Sequence, residues 1–132
     1  MRLLFVYDTI DNEPHGVMWI SSLLKQHGHE TKMVVATEQD PLEVAAEWQP
    51  DMLGYSVYTG TQKIYLELNR KLREVVPGAL SVFGGPHPTF FPEMIEQDGV
   101  DGVCVGEGEY ATLELLDALE AGTDPSGILS WH

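Results

Sequence analysis

Cysteine is almost absent: Cys104 is the one thiol in 132 residues. A disulfide framework is excluded, and so is a metal site built from several cysteines. Basic residues are scarce as well. Seven Lys and Arg stand against 21 Asp and Glu, giving a formal net charge of −14. Nucleic acid and anionic membrane surfaces both require a basic face, so neither is an expected partner. The excess of carboxylates reads as a solvated surface that favours solubility, and a salt-adapted source would give the same balance. No apolar run is long enough to span a bilayer. Met1-Arg2 leads straight into Leu3-Leu4-Phe5-Val6-Tyr7 and then Asp8, too short a stretch for a secretory core. A cytoplasmic protein is therefore expected. No internal repeat or low-complexity tract is evident.

What is present is an ordinary globular balance, 43% hydrophobic and 21% charged, in a length that suits one domain. Leu3-Leu4-Phe5-Val6-Tyr7 is a short strand of the buried type. A helix is expected over 16–26, with Val17, Ile20, Leu23, Leu24 and His27 on one side and Gly28 closing it. Thr31 to Ala36 forms a second strand. Pro41 opens a helix carrying Leu42, Val44, Ala45 and Trp48, stopped by Pro50. Met52 to Val57 is the third strand. The spacing of Ile64, Leu68, Leu72 and Val75 predicts a long amphipathic helix over 62–76, ended by Pro77-Gly78. Strands over 80–83 and 102–105 follow, with a short helical turn at Pro92 between them and a last helix over 110–119. Five alternations of strand and helix with short connections demand a parallel sheet covered on both faces. Right-handed crossovers leave few topologies, and the flavodoxin-like (Rossmann-like) order 2-1-3-4-5 in a three-layer α/β/α fold is the expected one. It places a crevice at the carboxyl ends of strands one and three. The domain is expected to occupy residues 1–122, with 123–132 a linker or tail toward a further C-terminal domain.

The loops at those carboxyl ends carry the chemistry. The first, Asp8 to Gly16, contains Asp11, Glu13 and His15, side chains that can donate, accept or ligate. The second, Ser56-Val57-Tyr58-Thr59-Gly60-Thr61, clusters hydroxyls that suit an amide- and nitrogen-rich ligand. Helix capping by Thr59 or Thr61 is the plainer role. The third is Gly84-Gly85-Pro86-His87-Pro88-Thr89, with Pro92-Glu93 after it. Its glycines let the backbone lie against a flat ring or a ribose-phosphate; a tight turn at positive φ would also use them. His87, held between two prolines, reads as a loop-shaping or contact residue rather than a base. The fourth, Gly106-Glu107-Gly108-Glu109, opens the last helix, whose dipole its glutamates complement. With Ala111 it matches G-x-G-x-x-A, but it follows the last strand, and two glutamates would repel a pyrophosphate. Cys104, in a strand of Val residues, is expected in the core. Trp19, Trp48 and Trp131 read as packing residues.

The second, third and fourth loops together resemble the cobalamin-binding domain that precedes the catalytic barrel in many radical S-adenosylmethionine (SAM) enzymes. The resemblance runs over nearly the whole chain. It implies cobalamin as cofactor, with Asp11, Glu13, His15, Gly16, Ser56, Tyr58, Thr59, Gly60, Gly84, Gly85, Pro86, His87, Thr89, Gly106, Glu107, Gly108 and Glu109 around it. Ser56 inherits by position the serine that binds the dimethylbenzimidazole base, and the Gly84-Gly85 loop inherits contact with the nucleotide tail. Free-standing cobalamin domains of the methionine-synthase type carry Asp-x-His-x-x-Gly in the first loop, the His lying beneath cobalt. Counted back from Gly28-His29-Glu30, the motif Asp falls on Asp11, the His on Glu13 and the Gly on Gly16. Either cobalt takes no ligand from this loop, or His15 reaches the metal from a shifted position. A radical SAM cluster needs three cysteines that this chain cannot supply, so the iron–sulfur cluster and SAM would belong to a barrel acting in cis or in trans. Two other uses of the fold fail on their residues. A phospho-receiver needs an Asp ending strand three and a Lys ending strand five, where this chain has Ser56 and Gly106. A flavodoxin needs a Ser/Thr/Gly phosphate loop after strand one. A cofactor-free interaction scaffold is the remaining alternative.

Overall fold

Successive residues of a strand point to opposite faces of its sheet, and in β1 (Arg2–Tyr7) both sets are buried. Leu4 and Val6 enter one core, Leu3 and Phe5 the other. A strand apolar on both sides belongs in the middle of a parallel sheet. The computed structural model, which describes residues 1–9, 15–106 and 108–124, places it there. The chain runs β1, α1 (His15–Gln26), β2 (Glu30–Val35), α2 (Pro41–Trp48), β3 (Met52–Ser56), α3 (Gln62–Val75), β4 (Leu80–Gly84), α4 (Pro86–Phe90), a 3₁₀ turn (Pro92–Glu96), β5 (Gly102–Val103) and α5 (Glu109–Ala121). The sheet is parallel with order β2-β1-β3-β4-β5, the flavodoxin-like order. Helices α2 and α3 cover the face of Leu4 and Val6; α1 and α5 cover the face of Leu3 and Phe5.

Local chemistry fixes the elements. The Asp40 carboxylate accepts a hydrogen bond from Leu42 N at 3.0 Å and caps α2, whose first residue is Pro41. Gly122, at φ 75°, closes α5 in the left-handed conformation. At the opposite end of the strands from the loops described below, buried His29, just before β2, is tied to Asp117 of α5, Nε2 to Oδ1 at 2.7 Å. Four expectations shift. His27 is exposed, its ring nitrogen 3.0 Å from Leu23 O. Ile64 is also exposed, because Tyr65, Asn69 and Leu72 take the buried stripe of α3 one position later. Trp19 lies on the surface, whereas Trp48 packs at the core edge beneath Arg2 and Lys32. The turn at 86–90, expected as a loop, is helical.

One buried polar knot binds three elements on the α3 side. Asn69 Oδ1 accepts from the Tyr55 hydroxyl at 2.9 Å and from Ser81 Oγ at 2.6 Å, while its Nδ2 donates to Gly99 O at 2.9 Å. Burial pushes the Tyr55 phenol well above its ordinary pKa, so it remains a neutral donor. Asn69→Leu keeps the volume but strands the buried Tyr55 hydroxyl, and it leaves Ser81 Oγ and Gly99 O only their longer bonds from Arg73 Nη1, at 3.2 and 3.4 Å. The expected loss is about 2–3 kcal/mol, read as a drop in thermal melting temperature of roughly 10 °C.

Candidate functional site

All five strands end at one edge, and the residues that face α1 and α5 there are small. Ser56 of β3 pairs in register with Gly84 of β4, and Gly54 with both Phe5 and Val82. Cys104 continues the row beside Gly84. Where a sheet face ordinarily presents branched side chains, this one leaves a hollow of about 250 Å³. Phe5, Val82, Gly54, Ser56 and Gly84 form its floor; Val17 and Ile20 of α1 and Thr112 of α5 form its roof. An apolar cavity of ~150 Å³ holds one benzene, so this slot takes a flat bicyclic group with little room to spare. Its mouth opens at the strand ends among Gly16, Gly85, Gly106 and Gly108.

The two adjacent glycines serve different ends. Gly84 has ordinary strand geometry, and a Cβ on it would meet only Cys104 Cβ at 3.8 Å, facing the slot. Gly85 has φ 97° and ψ −172°, a region that only glycine occupies readily. A Cβ there would lie 2.9 Å from both Val57 N and Val57 O. Gly85 thus meets the plainer expectation of a turn at positive φ, and its missing side chain clears space for the chain's own strand end. Val57 N donates to Gly84 O at 2.8 Å and His87 N to Val57 O at 2.9 Å, stapling the second and third loops together.

Side chains complete the frame. Thr89 Oγ1 donates to Gly85 O at 2.9 Å and accepts from Gly106 N at 3.1 Å, joining the third loop to the fourth. His87 stacks on Phe91 with ring centroids 5.1 Å apart, and its Nδ1 lies 3.1 Å from Thr59 Oγ1. Thr61 makes no capping bond to α3; its hydroxyl donates to Tyr58 O at 2.8 Å and accepts from Tyr58 N at 3.1 Å. Gly60, at φ 106°, makes the turn between them. Ser56 Oγ has no hydrogen-bond partner among the described residues and lines the slot. Pro86 starts α4 at the rim. Tyr7 ends β1 beside Tyr58 and Tyr65; burial first, and these neighbours second, push its phenol well up, so it stays protonated. The Asp8 amide donates to the Tyr65 hydroxyl at 3.2 Å.

The structure thus brings Gly16, Ser56, Gly84, Gly85, Gly106 and Gly108 around one hollow, with Tyr58, Thr59, Gly60, Pro86, His87 and Thr89 in the loops beside it. Asp11, Glu13 and Glu107 lie outside the described residues, as do the side chains of His15, which opens α1, and Glu109, which opens α5. Among the described residues, no group of three His, Cys, Asp or Glu is placed to hold a metal ion, and no helix is long and apolar enough to cross a membrane. Sequence reasoning missed Gly54 and Thr112. A glycine inside a strand was the available signal for the first, since it marks a close approach. Thr112 gave none, because its place opposite Ile20 depends on how two helices far apart in the chain come together.

Comparison with known proteins agrees with this geometry. A family profile described as the B12 binding domain matches residues 3–116. An uncharacterized methyltransferase of Pyrococcus horikoshii is 30% identical over 123 residues, covering 88% of this chain and 27% of the relative. An anaerobic magnesium-protoporphyrin IX monomethyl ester cyclase of Cereibacter sphaeroides is 29% identical over 138 residues, covering 92% and 22%. A cytidylyl-2-hydroxyethylphosphonate methyltransferase of Streptomyces wedmorensis is 24% identical over 145 residues, covering 90% and 27%. The chain spans about a quarter of the length of these relatives. With the profile matched from the first strand to the last helix, the chain belongs to the B12-binding domain family.

Proposed function

We propose that this chain is the cobalamin-binding module of a radical SAM enzyme, handing its cofactor to a barrel domain that acts in cis or in trans. The single observation that carries the cobalamin half is the slot: small residues on three strands open a 250 Å³ hollow at the carboxyl edge of the sheet. A corrin ring with its amide fringe is far too large for that volume. The benzimidazole base of the nucleotide tail is the part of cobalamin whose size would suit it. Cobalamin held there would supply a carrier for a methyl group or assist radical chemistry.

The chain's own residues bind and orient. Ser56 Oγ offers a hydrogen bond at the slot floor, Ile20 and Val82 exclude water from the base, and the Gly85–Val57–Thr89 frame fixes the mouth. The motif histidine position of the first loop holds Glu13, so a cobalt ligand from that loop would have to be His15. The barrel half rests on the resemblance of the loops and on relatives about four times as long, two of them methyltransferases. With one cysteine, this chain leaves the iron–sulfur cluster and SAM to that barrel. Tyr58, Phe90, Phe91 and Tyr110 are exposed on the loop after β3, on and just after α4, and at the start of α5. They supply the apolar surface on which the barrel would seat.

The test is direct. Mixed with hydroxocobalamin and freed of excess ligand, the protein is expected to retain the cofactor with a base-off visible spectrum. Complete wash-through would favour a cofactor-free scaffold, or a site that only the barrel completes. His15→Ala is expected to leave the bound spectrum unchanged; a shift would make His15 the cobalt ligand.

A further inference from the structure

The polar inventory of the slot says more than that a base can enter. Resting on the cobalamin reading above, we propose that the slot selects among B12 relatives by their lower base, accepting a benzimidazole and rejecting a purine. Five of the side chains that line it, Leu3, Phe5, Val17, Ile20 and Val82, offer no hydrogen bond. Ser56 Oγ and Thr112 Oγ1 are the hydroxyls it offers, since the Tyr55 hydroxyl is committed to Asn69 Oδ1; Cys104 adds a thiol, a weak donor.

The chain already uses part of the backbone around the mouth. Gly84 O accepts from Val57 N at 2.8 Å, and Gly108 O from Thr112 N at 2.9 Å. Gly85 O accepts from Thr89 N at 3.3 Å and from Thr89 Oγ1 at 2.9 Å. Gly106 N donates to Thr89 Oγ1 at 3.1 Å. The bonds that hold the loops together occupy the Gly106 amide and both acceptor sites of Gly85 O, and one of the two sites on Gly84 O and on Gly108 O.

The two bases differ in what they ask for. A benzimidazole linked through one nitrogen presents a single ring acceptor, and one hydroxyl satisfies it. Adenine linked through one nitrogen presents three ring acceptors and an amino group. At least two of these would be buried against aliphatic side chains, each losing its water without a replacement. Apolar sites discriminate against one added polar group by ~100-fold, which sets the scale here.

The test is a set of three titrations followed by visible absorbance: hydroxocobalamin, its adenine-based analogue, and cobinamide, which has no nucleotide. Cobalamin is expected to bind at least ~100-fold more tightly than the adenine analogue, with cobinamide weaker than cobalamin as well. Equal affinity for cobalamin and the adenine analogue would overturn the selectivity while leaving the cobalamin module standing. Cobinamide bound as tightly as cobalamin would overturn it by showing that no base enters the slot. Failure of all three to bind would overturn the underlying reading, and the selectivity with it.

Discussion

Gly84→Val is expected to abolish cobalamin retention while leaving the protein folded. Gly84 closes β4 opposite Ser56, and its missing side chain faces the slot. A Cβ there finds only Cys104 Cβ at 3.8 Å, ordinary contact, and the residue has no positive φ to resist substitution. Valine also suits a strand better than glycine does. The melting temperature should therefore stay within a few degrees of the parent. The slot fares differently. Three carbons projecting into the slot beside Cys104 occupy the space that a flat ring needs within about 250 Å³. Neither the sheet floor nor α1 can retreat without opening the Leu3, Phe5 and Leu24 core beneath. A loss of affinity of about 100-fold, close to 2.7 kcal/mol, is the expected scale. Gel filtration after mixing with hydroxocobalamin reads the binding, and a circular dichroism melt reads the fold. Undiminished retention by a folded Gly84→Val protein would mean that the base lies elsewhere.

The sheet was legible because its signals are periodic and local. Five apolar runs, each ended by a glycine, proline or hydroxyl turn, fix five parallel strands, and right-handed crossovers order them. The carboxyl-edge position of the site follows from that order alone. What was not legible depends on which atoms meet. The string Gly84-Gly85 reads as two equivalent bare positions, yet one faces a cavity and the other faces Val57. Pro86 and Pro88 read as a rigid loop, although the first turn of a helix has no amide bonds to lose, and both prolines fit inside α4. Ile64 was placed in the core by spacing, but the large Tyr65 ring, packed edge-on against Tyr55 at 5.9 Å, turns α3 by one position. The roof of the slot joins α1 to α5 and has no trace in either helix alone. Thr89 shows the reverse case: the sequence marked it as a ligand contact, and the structure gives it the additional task of joining two loops.

Gly85→Val, one residue along, is expected to fail at folding rather than at binding. Two costs add at the same atom. The backbone at φ 97°, ψ −172° lies where a branched residue is strained by about 1–3 kcal/mol. The new Cβ would then sit 2.9 Å from two backbone atoms of Val57 and 3.1 Å from Ser56 Oγ. A flexible side chain could turn away, but Val57 cannot. Its N–H is held by Gly84 O and its carbonyl by His87 N, so moving it breaks the stitch between β3 and β4. Val57 is itself fully buried in the core that contains Leu53 and Phe83. Shifting it opens that core as well. A destabilisation of about 4 kcal/mol or more follows, a large share of the stability of a domain this size. The measurement is chemical denaturation of the two glycine variants side by side in the absence of cobalamin. The midpoint should fall steeply for Gly85→Val and little for Gly84→Val. Equal, small shifts for both would show that the Gly85–Val57 contact is not what shapes the third loop.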